Sequence, residues 1–469
     1  MQLQQGSNAP DVTPPQDSSF YNRLAEQAEF LTLFGDTPGL MTVLVGPPNC
    51  GKTAFLKYLV SQLRAKPDPP LILMIDSRLK AVTSPEEISK ALCDAVVSES
   101  LMERAQSTAG AFAELLLSST TVISTLGAEV GVQLENIKDY FAKDEDNLAE
   151  TLEKLDTLFE NLKQLPNQPV IIIDEANKLM RWHELDPSRP NLEILLSFLT
   201  AVTKQDNLAH VVLATSDYFL ASWLYDHGLT NDKFKVEVLG DLTEQEAREF
   251  VYGTAMGATI AAAVADPGHA TVPATEGTWR GIVNDPSKQG KVPPGAQEQW
   301  PAIYERCGGN IGLLKQCMAA ARVKRNWKGA LRGLTTGPYL TIKNAFTPIA
   351  LTKRDVGPLW TGQQWELVLQ EIVKAPHHAV LQEDLKKKLE ETVPGAESGR
   401  GNNILMSMIK YNLLALRPPS DLARDLPQEV YGDDQLNMAV TLPLPVHVWA
   451  AKKLLERSPE GEDDSATNP

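Results

Sequence analysis

Cysteine is scarce in this 469-residue chain: only Cys50, Cys93, Cys307 and Cys317 occur, and no two form a CxxC pair. That excludes a disulfide framework and a cysteine-built zinc cluster, and a reducing compartment, cytoplasmic or nuclear, is expected. Positive charge is also in deficit, with 44 Lys and Arg against 60 Asp and Glu and a net charge of -16. Such a surface opposes nonspecific coating of nucleic acid or of an anionic membrane. No apolar run is long enough to span a bilayer. The strongest stretch, AGAFAELLLSSTTVISTLGAEVGVQL, is interrupted by Glu114 and Glu129, which leaves less than the ~18 residues a span requires. The opening MQLQQGSNAPDVTPPQDSSF has neither cations nor an apolar core, so it matches no secretory or transit signal, and residues 1–19 read as a disordered leader. His377, His378 and His447 stand without the Cys or Asp spacing of a closed metal site. Internal repeats are absent.

What remains is the mix of a folded, multidomain protein, with 43% hydrophobic and 22% charged residues. The segment FYNRLAEQAEFLTLF has helical spacing through Leu24, Ala28, Leu31 and Phe34, and Thr37-Pro38-Gly39 breaks it before the apolar run LMTVLV. Further unbroken runs, LILMID from Leu71 to Asp76, VIIID from Val170 and HVVLATSD, have the composition of central parallel strands covered on both faces. Helical text separates them, clearest from Asp144 to Leu165, where Leu148, Leu152, Leu155, Phe159 and Leu162 recur at three- and four-residue steps. This alternation predicts an α/β domain with a parallel sheet over residues 20–250. A Pro-, Gly- and Ala-rich stretch at about 258–295 reads as a mobile insertion in a helical lid and linker, 251–357; helical text resumes at Gln297 and runs to about Trp327. Over 358–457, helices at Trp365–Lys374, Gln382–Glu391 and Asn402–Tyr411 precede two β-like pieces, LLALRPP and LNMAVTLPL. Three helices and a hairpin predict a mainly α, winged-helix-like domain. An acidic tail, 458–469, is expected to be disordered.

The chemistry concentrates in Gly46-Pro47-Pro48-Asn49-Cys50-Gly51-Lys52-Thr53, a GxxxxGKT loop between LMTVLV and the helical stretch that opens at Ala54. Terminal glycines let such a backbone wrap with its N–H groups toward a β-phosphate, while Lys52 neutralises β/γ charge and Thr53 offers a hydroxyl to Mg2+. Gly46, Pro47, Pro48, Asn49, Cys50, Gly51, Lys52, Thr53 and Ala54 are accordingly the expected nucleotide-binding set. Cys50 would contribute its amide, its thiol being incidental. A second motif, Val170-Ile171-Ile172-Ile173-Asp174-Glu175, delivers two acids to the end of an apolar strand. Asp174 would hold Mg2+ through water, and Glu175 would orient and deprotonate an attacking water, which predicts hydrolysis as well as binding. Thr215 and Ser216, after the fourth run, either report on the γ-phosphate or cap the helix that follows. No metal beyond Mg2+ is expected.

Two further features bear on partners. From Arg306 through Arg354 there is no Asp or Glu, while Arg306, Lys315, Arg322, Lys324, Arg325, Lys328, Arg332, Lys343, Lys353 and Arg354 all occur. This belt meets triphosphate, an acidic partner or nucleic acid, or is simply a solvated helical face. The helix placed to read DNA, GNNILMSMIKYN, has Lys410 as its only cation, and Asp421, Asp425, Glu429, Asp433 and Asp434 follow it. Base reading is therefore disfavoured; Met406 and Met408 suit packing on the α/β domain or on a protein partner.

Several separated motifs carry a family resemblance: Phe20-x-x-Arg23-x-x-Glu26, GPPNCGKT, LMIDSR, IIIDEANKL, VVLATSD, LGDLTEQEAREFV and Cys307-Gly308-Gly309-Asn310-Ile311-Gly312. From about Phe20 to Met318 the chain resembles the archaeal-type ATPases within the signal-transduction ATPases with numerous domains, relatives of AAA+ proteins, in which a winged helix is a common appendage. The resemblance implies ATP as the nucleotide, since no guanine-reading NKxD element occurs: Asn177-Lys178-Leu179-Met180 lacks the Asp. It implies that Phe20 to Asn22 lie near the adenine, that the LTxxEA element enters the lid, and that GGNxG opens the lid's nucleotide-facing helix. The family's Gly-Arg pair before LTxxEA is replaced here by Asn231-Asp232-Lys233-Phe234-Lys235. Lys233 lacks the planar fork of arginine, so slow turnover is expected. The resulting expectation is an ATP- and Mg2+-dependent switch coupled to a protein partner or to self-association, without membrane attachment. The alternatives are an initiator-like DNA-binding ATPase and a nucleotide-gated scaffold with negligible turnover.

Overall fold

The computed structural model describes residues 23–80, 82–105, 141, 147–163, 166–182, 190–252, 298–348, 357–393, 399–432 and 437–456. The expected leader, the apolar stretch broken by Glu114 and Glu129, the insertion at about 258–295 and the acidic tail lie outside these residues. Among the described residues no helix is long and apolar enough to cross a membrane.

The apolar runs become β1 (Met41–Val45), β2 (Ile72–Asp76), β3 (Val170–Asp174) and β4 (His210–Thr215). With β5 (Phe234–Val238) they form a parallel sheet in the order β2-β3-β4-β1-β5. Side chains alternate across the sheet with the two-residue period of a strand. Val43, Ile171, Ile173 and Leu213 enter one buried cluster, and Leu44, Ile172, Val212 and Ala214 enter another on the opposite face. Helices cover both faces, α3 (Pro85–Ala105), α4 (Leu148–Leu162), α5 (Pro190–Thr200) and α6 (Phe219–Asp226) on the first, which is why these strands read as continuous apolar text. On the second face α1 (Leu24–Leu33) and α2 (Lys52–Arg64) meet through Phe30, whose ring stands edge-on to Phe34 and Phe55 at 5.8 and 5.3 Å. The register sets Asp76 beside Asp174 and Val45 beside Thr215, so the carboxyl ends of β1 to β4 gather the polar residues of both motifs at one edge.

β5 has no counterpart in the expected strands. It is an edge strand whose middle residues, Lys235, Val236 and Glu237, are only half-buried, and Lys235 pairs with Glu237 at 3.1 Å. Polar text at a sheet edge conceals a strand. After α7 (Glu244–Tyr252), helical text expected as one stretch from Gln297 is divided into α8 (Trp300–Cys307) and α9 (Ile311–Lys324) at Gly308 and Gly309. An 18-residue helix, α10 (Trp327–Asn344), then fills what read as linker despite an internal Pro338.

The C-terminal block contains the three expected helices, α11 (Gly362–Lys374), α12 (Gln382–Glu391) and α13 (Arg400–Lys410). The two expected β pieces pair antiparallel as anticipated, and a third, unanticipated strand extends them into a three-stranded sheet. In it β8 (Ala439–Thr441) lies between β6 (Ala379–Leu381) and β7 (Ala415–Arg417), and α14 (Pro445–Leu455) follows. Leu405, Met408 and Ile409 of α13 are buried in the same cluster as the sheet's first face, and the Lys410 ammonium lies 5.7 Å from the Phe219 ring centre. The methionine-bearing helix thus packs inside the chain. Phe30→Ala is expected to cost ~3–5 kcal/mol through the cavity it leaves between α1 and α2, whereas Leu79→Ala, at an 82% exposed position, changes little; denaturant titration checks both.

Candidate functional site

The loop from Gly46 to Thr53 leaves β1 and opens α2, with Asn49 and Gly51 at φ 63° and 104°. Gly46 cannot carry a side chain, because a Cβ would stand 2.3 Å from the Leu239 carbonyl oxygen. Lys52 is buried, and its Nζ donates to the Gly46 and Pro47 carbonyls at 2.8 and 3.0 Å. Cys50 is fully buried; its amide donates to the Pro47 carbonyl, and its thiol lies 3.4 Å from the Leu239 carbonyl. Ala54 is exposed on the first turn of α2.

Although β4 separates β1 from β3, the two acidic and basic motifs meet. Thr53 Oγ1 donates to Asp174 Oδ2 at 2.6 Å. Asp174 is 1% exposed, and its Oδ1 accepts from the Glu175 amide at 3.1 Å. Glu175 is half-buried and held in the left-handed region at φ 60°. Thr215 is fully buried and its hydroxyl accepts from the Asp217 amide at 2.9 Å, while the Asp217 carboxylate accepts from the Phe219 amide at the start of α6 (Phe219–Asp226). Ser216 beside it is half-buried. The hydroxyl of Thr53 and the carboxylate of Asp174 are the hard oxygen donors that Mg2+ takes, usually with several waters and phosphate oxygens completing its shell.

Residues of the remaining motifs complete the surroundings, through contacts that the motifs themselves do not spell out. Arg78, two residues beyond β2, donates through Nη2 to Thr53 Oγ1 and to Asp174 Oδ2, each at 2.7 Å, and through Nε to Asp76 at 3.0 Å. Burial raises the Asp76 carboxyl, but hydrogen bonds from Arg78 outweigh it and hold the group below its ordinary value. The lid enters through Asn310, whose side chain caps α9 at the Leu313 amide and donates to the Pro48 carbonyl and to Asp241. Gly312 donates its amide to Asn49 at 3.1 Å, and a Cβ there would collide with Asn49 at 2.3 Å. The glycine spacing of the GGNxG motif is thus a requirement for close approach. On the other side Arg23, 1% exposed, donates to the Cys50 and Gly240 carbonyls at 2.8 Å each and pairs with Glu26.

A segment of the C-terminal block closes the far side. Arg424 joins Glu26 to Glu246, Ser420 accepts from the Val238 amide, and Leu422 accepts from the Gly240 amide. Arg417 grips Asp425 through two hydrogen bonds of 2.9 and 2.7 Å. Burial pushes the Asp425 carboxyl up, and the Arg417 charge outweighs it to leave the group low. Asp241, buried beside it, is pushed up to about 7 by burial and by the Asp425 carboxylate. Between these parts lies a cavity of about 340 Å³ bordered by Pro47, Tyr218, Asp241, Tyr304, Arg417 and Trp449. Among the described residues no cluster of three or more His, Cys, Asp or Glu forms a further metal site.

Several comparisons bear on this arrangement. A family model described as an ATPase domain predominantly from Archaea matches residues 20–257. An uncharacterized ATP-binding protein of Methanocaldococcus jannaschii is 24% identical over 233 residues, 50% of this chain and 62% of that protein. One from Pyrococcus abyssi is 25% identical over 232 residues, 50% of this chain and 63% of its own. The chain therefore covers less than two thirds of the length of these relatives. Among solved structures, the Walker-type ATPase of Pyrococcus abyssi superimposes with a TM-score of 0.51 over 94% of this chain and 99% of that one, at 12% identity; the likeness is one of fold.

The raised Asp241 carboxyl makes a pH prediction. A group that titrates higher when folded stabilises fully below its unfolded value near pH 4, loses that contribution as pH rises, and has lost it above about 7. Asp241→Asn removes this term, so its melting temperature relative to wild type is expected to rise by a few degrees between pH 5 and pH 8. Parallel melting curves across that range would refute it.

Proposed function

The chain belongs to the family of ATPase domains found predominantly in Archaea, and on that premise we propose that it is a Mg2+-dependent ATP-hydrolysing switch. In this reading its nucleotide state sets how the lid and the C-terminal block pack and thereby governs contact with a protein partner. Residues 20–250 act as the ATPase domain, 251–357 as lid and linker, and 358–457 as a winged-helix-like domain. The observation that carries the reading is the meeting of Thr53 and Asp174, 121 residues apart, at 2.6 Å beside a buried lysine. Two separate motifs converge on one point, which a chance glycine-rich turn does not require.

The roles follow from position. Backbone amides of Gly51 and Lys52 at the start of α2 face a phosphate with the positive end of the helix behind them. Lys52 exchanges the Gly46 and Pro47 carbonyls for phosphate oxygens. Thr53 and Asp174 hold Mg2+, which neutralises charge on the β- and γ-phosphates when bound. Glu175, one residue beyond Asp174 on a left-handed turn, takes the proton of the attacking water. Thr215 and Ser216 lie at the end of β4 between the loop strand and Asp174, where a hydroxyl reads the terminal phosphate. Lys233, half-buried in the turn before β5, donates to the Gly228 carbonyl; it lacks the planar fork of an arginine finger, which supports slow turnover.

One observation favours a second reading, that of a DNA-binding ATPase: Lys324, Arg325, Lys328 and Arg332 are exposed together around the junction of α9 and α10. A single assay separates the readings. Mg2+-dependent ATP turnover is expected in wild type, lost to background in Lys52→Ala together with ATP binding, and lowered about 100-fold or more in Glu175→Gln with ATP binding kept. Turnover stimulated by duplex DNA would favour the DNA reading. Tight binding without turnover in wild type would leave a nucleotide-gated scaffold, and wild-type turnover unaffected by either substitution would overturn the site.

A further inference from the structure

Arg78 occupies the position that the proposed metal also needs. Its Nη2 stands 2.7 Å from both Thr53 Oγ1 and Asp174 Oδ2, the two oxygens assigned above to Mg2+. We propose that Arg78 is a built-in counter-cation that competes with the divalent metal for these two oxygens, so that the metal and its nucleotide enter only as the guanidinium turns aside. The proposal rests on the nucleotide-site reading and adds a residue that sets the site's metal requirement.

Charge explains why a cation is kept there. Asp76 and Asp174 are direct register partners at the ends of adjacent parallel strands, which lie about 4.8 Å apart. Two carboxylates so placed repel unless a positive group lies between them. Arg78 supplies it, with Nε and Nη2 reaching Asp76 at 3.0 and 3.2 Å while Nη2 also reaches Asp174. A guanidinium keeps its charge at every accessible pH, so it yields the position by moving and not by losing a proton. A metal ion arriving on the same oxygens adds like charge to like, and both cannot stay.

The geometry allows that movement. The root of Arg78 is fixed by the turn after β2, where its backbone amide donates to Asp76 Oδ1 at 3.1 Å. Its side chain is 44% exposed whereas that of Asp174 is 1% exposed, so the guanidinium has an open route to solvent and the carboxylate does not. The Nε contact to Asp76 uses neither Thr53 nor Asp174, and a guanidinium whose Nη2 swings away therefore remains tethered at the rim. The path is short: only the tip of the side chain has to leave.

The test is the Mg2+ concentration that gives half-maximal binding of a fluorescent ATP analogue to the full chain, titrated up from EDTA. Arg78→Ala is expected to lower that concentration about three- to tenfold, and Arg78→Lys, which keeps a charge but loses the fork, to fall between the two. If Arg78→Ala does not fold by circular dichroism, the neutral Arg78→Gln carries the same expectation. An unchanged or raised Mg2+ requirement in the neutral variants, with analogue binding still abolished by Lys52→Ala, would overturn the role of Arg78 and leave the nucleotide site standing. Absence of analogue binding in wild type at any Mg2+ concentration would overturn both. Mn2+ bound without nucleotide, read by its electron paramagnetic resonance signal, gives an independent count: tighter in Arg78→Ala supports the competition, and equal affinity refutes it.

Discussion

Five consecutive carbonyl groups of the phosphate loop, Gly46 to Cys50, are each taken by a donor, and the rest of the site depends on that arrangement. Lys52 holds Gly46 and Pro47, the Asn310 side chain holds Pro48, the Gly312 amide holds Asn49, and the Arg23 guanidinium holds Cys50. Buried backbone acceptors are costly when unpaired, so the loop adopts a conformation in which its carbonyls are satisfied from outside. One side of each peptide is thereby committed. Three of these donors come from the N-terminal arm and the lid, which makes loop shape a property of the whole assembly of elements and not of the GxxxxGKT sequence alone.

The same principle ties in the C-terminal block. Arg424 reaches Glu26, which itself pairs with Arg23, so a chain of charged groups runs from residue 424 to the Cys50 carbonyl. Buried and half-buried charges of this kind persist when paired and hydrogen-bonded. Leu422 and Ser420 bind the backbone around Val238 and Gly240, next to the Leu239 carbonyl that contacts the Cys50 thiol. Short, specific contacts thus join the loop to two segments remote in the sequence.

What could be read from the amino-acid sequence was the chemistry that demands fixed residue types at fixed spacing. The loop, the Asp174-Glu175 pair and the apolar central strands were of this kind, since a buried parallel strand has no polar text to disguise it. β5 escaped because an edge strand alternates Lys235 and Glu237 with Val236 and faces solvent in part. α10 escaped because Gly329, Gly333, Gly337 and Pro338 crowd one helix, each a residue of low helix propensity, and packing on neighbouring helices overrides that. Arg78 meets Asp174 across 96 residues and Arg424 meets Glu26 across 398; no local pattern encodes such pairings.

The central claim is that nucleotide is held by the loop and that the lid and the C-terminal segment respond through its carbonyl contacts. Hydrogen–deuterium exchange of the full chain with and without Mg2+ and ATP tests it most directly. The account predicts slower exchange at the amides of Gly51 to Thr53, accompanied by altered exchange at Asn310 to Leu313 and at Ser420 to Asp425. Exchange unchanged at the loop, or changed there without any response at the two remote segments, would contradict it.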